Sequence, residues 1–391
     1  MRFGSAADAG FAPERLEQAW EVLRRSTGTA SVPAAVAAVG RGGVAVEPRA
    51  FGWAVYDPPA ERVPAAVDTL FDLASLTKVV GTATAAWRLI ERGSLRLGLR
   101  LEEVLEGFGT PAPGEAPDWR RRVTVRHLLT HTSGLPAGFD LRRVAGGREQ
   151  RLAAARRVPL AAPPGERMVY SDIGFILLAA AVEEVAGMPL DAFCQAEIFG
   201  PLGMRDTGWN PPAAAVARTA ATEWAEDRGP QPAGYLRGVV HDENARSLGG
   251  VAGHAGLFAT VGDLARFADM LRAGGLGGAP TGGAPIRILS AAAVARMTAP
   301  AVVREDDCRT LGWQGAGRQG APCGDLWTKR VFGHTGFTGT CLWIDPGHDL
   351  WAVLLTNGVH MGRALGLAAM PALRAGFHNA LVAAVDGPAA G

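Results

Sequence analysis

A serine and a lysine three residues apart, Ser75 and Lys78, are the first residues in this chain whose types and spacing suggest chemistry. They stand in Phe71-Asp72-Leu73-Ala74-Ser75-Leu76-Thr77-Lys78. Beyond them Leu76, Val79, Val80, Ala83, Trp87 and Ile90 recur at helical spacing, and Gly93 offers a stop. Positions i and i+3 share a helix face, so the Ser75 hydroxyl and the Lys78 amine can come within hydrogen-bond reach. The helix N-terminus adds partial positive charge where an anion would develop. A weak nucleophile beside a base at such a point suits acyl transfer through a covalent intermediate. The chain has only two lysines, Lys78 and Lys329, and arginine carries the other basic charge. Arginine does not release its proton, whereas a partly buried lysine can shift its pKa and act as a base. The plain alternative is a solvated lysine behind a capping serine.

Three other stretches could supply partners. Tyr170-Ser171-Asp172 stands just before a helix, and a tyrosine beside a lysine cation can have a lowered pKa and serve as general base. Gly333-His334-Thr335-Gly336-Phe337-Thr338-Gly339 reads as a strand edge, where glycines admit a substrate close to the backbone and free N–H groups can form an oxyanion hole. Gly249-Gly250-Val251-Ala252-Gly253-His254-Ala255-Gly256 reads as a loop lining a cleft, or equally as a packing loop. The spacing of His241, Asp242 and His254 fits no metal-ligand motif. There is no G-x-S-x-G, H-E-x-x-H or G-x-x-x-x-G-K, which removes the α/β-hydrolase, zincin and nucleotide-hydrolase readings.

The elements that must position these residues fall into a simple order. Pro13 to Arg25 is an amphipathic helix opened by proline, followed by strand-like runs at Pro33 to Val39 and Val44 to Val55 around the turn Gly40-Arg41-Gly42-Gly43. From Gly93 to about Arg246 helices and loops dominate, with helices at Asp172 to Val185, closed by Gly187, and at Leu190 to Phe199. Thr260 starts another helix, to Leu271. Strands return at Val331 to His334, Gly339 to Asp345 and Leu350 to Thr356, before an apolar-striped helix from Gly362 to Val385. The expectation is an α+β fold. Residues 1–92 and 286–391 form a discontinuous sheet domain flanked by helices, residues 93–285 form a mainly helical insertion, and the active site lies at their junction.

Composition sets limits. With 391 residues, 48% hydrophobic content and a net charge of +1, the chain reads as globular, and nothing in the balance points to nucleic acid or an anionic membrane. No uncharged apolar run reaches the length of a membrane span. The N-terminus lacks the apolar core of a secretory signal, and Cys194, Cys308, Cys323 and Cys341 are irregularly spaced and read as free thiols. The expectation from these features is a cytoplasmic protein, or a periplasmic one if the true start lies upstream.

Taken together the residues resemble the serine β-lactamase and penicillin-binding protein family, whose relatives include class C β-lactamases, D-alanyl-D-alanine carboxypeptidases and β-lactamase-fold esterases. Ser75 and Lys78 match its S-x-x-K motif, Tyr170-Ser171-Asp172 its Tyr-x-Asn, and His334-Thr335-Gly336 its Lys-Thr-Gly or His-Thr-Gly. Leu128 to Leu135 looks like its L-L-x-H-T-S-G-L segment, and Gly249 to Phe267 like its G-G-x-x-x-x-x-D-L-A-R-F region. The resemblance implies a β-lactamase/transpeptidase-like fold and Ser75 as nucleophile. It implies that Lys78 and Tyr170 share the base work, and that the backbone N–H groups of Ser75 and Phe337 hold the oxyanion. His334, Thr335, Gly336 and Asp172 would face the substrate, and no cofactor or metal is implied. Two departures bear on the substrate. Asp172 stands where penicillin-binding relatives usually have Asn, and His334 where they usually have Lys, a fixed charge for a substrate carboxylate. A histidine is only partly charged at neutral pH, and a carboxylate at Asp172 would repel an anion unless Lys78 neutralises it. Both tilt the expectation toward a less anionic acyl substrate such as an ester. A true β-lactamase or carboxypeptidase, and a non-catalytic binding protein that keeps the fold, are the alternatives.

Overall fold

The computed structural model describes residues 1–116, 118–226, 233–278, 284–304, 307–318 and 320–387. Its principal sheet is built from both ends of the chain. Strand Ala34–Arg41 pairs antiparallel with Leu350–Thr356, Ala35 opposite Thr356 and Arg41 opposite Leu350. On one side of this pair lies Arg49–Val55; on the other, Cys341–Asp345 and then Phe332–Thr335. Beyond Phe332–Thr335 the sheet continues through Gln314–Gly315, Cys308–Arg309 and Val302–Val303. These two-residue strands carry no legible alternation.

Both faces of the central pair are covered, so both phases of the strand alternation are apolar. Ala35, Ala37, Val39, Ala352 and Leu354 pack with Leu16, Trp20 and Leu23 of helix Pro13–Ser26 and Phe377 and Leu381 of helix Arg363–Ala383. The Trp20 and Phe377 rings lie 6.0 Å apart. Val36, Ala38, Val353 and Leu355 belong to the core on the opposite face, together with Leu264, Phe267, Ala268 and Leu271 of helix Val261–Arg272. That last helix falls inside the segment 93–285 yet lies against the sheet, because its apolar stripe is what covers this face.

The remainder of that segment surrounds helix Asp172–Ala186, which is buried without interruption from Ile173 to Val182. Helices Val125–Leu129, Arg148–Arg156 and Thr84–Glu91 cover it, and Gly187 ends it in the left-handed conformation at φ 67°. Among the described residues no single helix is long and apolar enough to cross a membrane. The four cysteines are buried free thiols.

Candidate active site

Ser75 stands in a turn rather than inside a regular helix. A short strand, Phe71–Asp72, pairs with Leu257–Ala259 and delivers the chain to Ala74, whose φ of 46° turns it sharply. The Asp72 carboxylate, buried and pushed up from its ordinary pKa by that burial, accepts the Ala74 N–H at 2.8 Å and the His241 N–H at 2.7 Å. Leu76 begins the helix, which widens into a π-helical stretch over Lys78–Ala83 before continuing as Thr84–Glu91. The Thr84 hydroxyl donates to Val79 O at 2.7 Å within that stretch. The i, i+3 relation holds through the change: Lys78 Nζ lies 3.0 Å from Ser75 Oγ.

Lys78 is fully buried. Besides Ser75 Oγ, it donates to His254 O at 3.1 Å and pairs with Asp172 Oδ1 at 2.7 Å. Its Nζ also sits 4.8 Å from the centre of the Tyr170 ring. Burial alone would push the ammonium pKa down, but Tyr170 and Asp172 outweigh it and hold Lys78 above the ordinary 10.5. That direction favours the ammonium form of Lys78, and the Asp172 carboxylate beside it supplies a pairing charge.

Tyr170 is held among rings and cations. His131 lies at 4.6 Å, His334 at 5.8 Å, and the Arg309 guanidinium 5.2 Å from the ring centre. Arg309 comes from the short strand Cys308–Arg309 and pairs with Asp307 at 2.9 Å. One arginine among many, it carried no signal in the sequence. His334 is buried, and its Nδ1–H donates to Thr335 O at 2.7 Å. Burial, then Arg309 and Lys78, hold His334 well below the ordinary 6.5. The position that would carry a fixed cation therefore holds a neutral imidazole, whose Nε2 is buried with no partner among the described residues.

The strand edge meets the nucleophile turn directly. Thr338 Oγ1 donates to Asp72 O at 2.7 Å, and Thr340 Oγ1 to Leu73 O at 3.1 Å. Gly336 lies between, so close that a Cβ there would stand 2.5 Å from Leu73 O. The Gly336 N–H is taken by Thr340 O at 2.7 Å, while the amides of Ser75 and Phe337 donate to none of the described residues. Two free N–H groups on two stapled turns are what an oxyanion hole requires. The Phe337 side chain is exposed and stacks on His241 at 5.8 Å. The glycine-rich loop contributes the His254 carbonyl to Lys78, and the nearby histidines pair with carboxylates: His254 Nε2 with Asp242 Oδ1 at 2.8 Å, and His241 Nε2 with Glu223 Oε2 at 3.1 Å.

Residues 16–375 match the family described as Beta-lactamase. The chain belongs to the beta-lactamase family. A relative in Escherichia coli (strain K12), provisionally named as a D-alanyl-D-alanine carboxypeptidase, is 34% identical over 320 residues, 77% of this chain and 71% of that protein. The N-acetylmuramyl-L-alanine amidase of Bacillus subtilis (strain 168) is 32% identical over 380 residues, 91% of this chain and 84% of that protein. Among solved structures, EstCE1, a hydrolase with promiscuous acyltransferase activity, superposes with a TM-score of 0.73 at 23% identity, covering 94% of this chain and 99% of that one. A class C beta-lactamase gives 0.72 at 17% identity, covering 94% and 97%. At those identities the likeness is one of fold. It establishes the β-lactamase/transpeptidase architecture for this beta-lactamase-family chain, within a family of serine hydrolases.

Proposed function

We propose that the protein is a serine hydrolase that works through an acyl-enzyme on Ser75 and cleaves an ester or amide of low negative charge. The observation that carries this reading is the contact of the Lys78 ammonium with Ser75 Oγ, opposite two unpaired amides on stapled turns. Ser75 Oγ attacks the acyl carbonyl and Tyr170 takes its proton. Lys78 Nζ lies 4.8 Å from the centre of the Tyr170 ring and 3.0 Å from Ser75 Oγ, which brings this base beside the nucleophile. The N–H groups of Ser75 and Phe337 receive the oxyanion of the tetrahedral intermediate. The intermediate collapses, Tyr170 returns the proton to the leaving group, and water then attacks the acyl-enzyme with Tyr170 again as base.

The neutral His334 supports the preference for a substrate without a carboxylate at that subsite. The relatives named for amide cleavage in peptides with D-alanine or N-acetylmuramyl groups favour a second reading, an amide of that kind. Intact-mass analysis with a fluorophosphonate probe tests the nucleophile. One adduct is expected on the wild type and none on Ser75→Ala; an equal adduct on both would refute it. Turnover of p-nitrophenyl butyrate, nitrocefin, a D-Ala-D-Ala peptide and an N-acetylmuramyl-L-alanine amide then separates the substrates. Robust nitrocefin turnover with negligible ester cleavage would overturn the stated preference.

A further inference from the structure

His131 is 3% exposed and has a φ of 57°, in the left-handed region that non-glycine residues seldom occupy. It follows helix Val125–Leu129, where the His131 N–H donates to Leu128 O at 3.2 Å and the Thr132 N–H to His127 O at 2.8 Å. From this turn His131 reaches the segment that carries Tyr170. The Val169 N–H donates to His131 O at 2.9 Å, and the Ser171 N–H donates to His131 Nδ1 at 3.0 Å. One residue thus holds the amides on both sides of Tyr170. Its ring lies against the Tyr170 ring at 4.6 Å, and Phe175 backs it at 5.1 Å. Strained backbone of this kind persists where the surroundings hold it, and it gathers at functional sites.

We propose that His131 is a positioning residue for the base that fixes Tyr170 by bracketing its backbone and backing its ring. The assignment rests on the reading of Ser75 as nucleophile and Tyr170 as its base. Nδ1 can accept the Ser171 N–H only when it carries no proton. Burial, then Arg309, Lys78 and His334, hold His131 well below the ordinary 6.5, so it stays an acceptor at neutral pH. The groups facing Tyr170 are Lys78 from the nucleophile helix, Arg309 from strand Cys308–Arg309, His334 from strand Phe332–Thr335 and His131 itself. Asp172 stands on Lys78 and Asp307 on Arg309. The ring is held between two cations, Lys78 and Arg309, and its work as a base depends on where it is held. The far end of the segment is anchored separately: Ser171 Oγ donates to Pro136 O at 2.6 Å and accepts the Gly174 N–H at 3.1 Å. Freedom at Tyr170 is therefore limited on the remaining side by His131.

The test compares His131→Leu, which fills similar space without an acceptor, with His131→Asn, whose Oδ1 can replace Nδ1 and which tolerates a positive φ. His131→Gln, with its acceptor one bond further out, keeps the comparison open if the leucine variant does not fold. The readouts are fluorophosphonate-titrated kcat and KM for p-nitrophenyl butyrate across pH 6 to 10, together with thermal melts. Leucine and glutamine are expected to lower kcat per titrated site about 10²-fold, with KM little changed. Asparagine is expected to recover most of that loss. A purely structural role would lower the melting temperature or the titratable fraction while kcat per titrated site stayed at the wild-type value, and that result overturns the proposal. Asparagine behaving like leucine overturns it too. A wild-type protein that takes no adduct at Ser75 overturns the reaction itself, and this assignment with it.

Discussion

Replacing Gly336 by alanine probes the closest approach in the site. Gly336 has no left-handed φ, so an alanine meets no backbone penalty of its own and the effect is steric. The added Cβ would stand 2.1 Å from Thr340 Oγ1 and 2.5 Å from Leu73 O. Ordinary contact begins at 3.4 Å, so the strand edge and the nucleophile turn must part by about 0.9 Å, the gap left at Leu73 O. Thr340 cannot simply rotate away, because its hydroxyl is bonded to the same Leu73 carbonyl at 3.1 Å. The Phe337 amide is the next residue along and moves with Gly336. An oxyanion donor is effective over only a few tenths of an ångström, and losing one costs about 10² to 10³ in kcat. We expect Gly336→Ala to lower kcat and kcat/KM for p-nitrophenyl butyrate together by about 10²-fold, since the lost interaction belongs to the transition state. Overpacking at this contact should cost about 1–3 kcal/mol of stability. Gly98→Ala, at an exposed position with nothing within 4 Å, is the control and should change neither quantity. Rates measured per fluorophosphonate-titrated site remove any effect of unfolded protein. If Gly336→Ala retains wild-type kcat and melting temperature, the contact does not place the oxyanion hole and the reasoning fails.

Two further outcomes follow from the charges around the site. Hydrogen bonding from His241 and then from Arg363, working against burial, lowers the Glu223 pKa from 4.5 to about 2. Its stabilisation is therefore complete above about pH 4.5 and lost as the pH falls toward 2. With solvent screening at this partly exposed carboxylate, Glu223→Gln should cost about 1 kcal/mol at pH 7 and almost nothing at pH 2; a denaturant-midpoint difference that persists at pH 2 would count against it. His334→Lys places a cation beside Arg309 and Lys78 in a buried site. It should destabilise the fold by about 2–4 kcal/mol, whereas a variant that melts like the wild type and gains nitrocefin turnover would refute the neutral subsite.

The parts of the site that were legible in the sequence are those whose geometry is local. Ser75 and Lys78 are three residues apart, and even the π-helical widening after Lys78 leaves them in contact. The apolar runs of Ala34–Arg41 and Leu350–Thr356 were legible as strands at the two ends of the chain, whereas their pairing with each other is decided by the fold. Other features left no trace. Arg309 enters from a two-residue strand, and such strands are too short to show a period. Helix Val261–Arg272 shows an amphipathic pattern that says it needs a partner but not which one, and the sheet rather than the helical segment supplies it. His131 was legible as part of a family-like segment, while its grip on both sides of Tyr170 depends on bringing two loops together.

Sequence alone determined which residue types are present and which neighbours along the chain can share a turn: a nucleophilic serine, its nearby lysine, a tyrosine before a helix, and glycines at a strand edge. Charge state was decided only by the tertiary structure. The same Lys78 buried alone would be pushed toward the neutral amine, and is held toward the ammonium because Tyr170 and Asp172 stand beside it, Asp172 94 positions later and 2.7 Å away. The same His334 would titrate near neutrality in water, and is a neutral acceptor because it is buried beside Arg309 and Lys78. A pKa depends on burial and on charges a few ångströms away, and those distances exist only once the chain has folded.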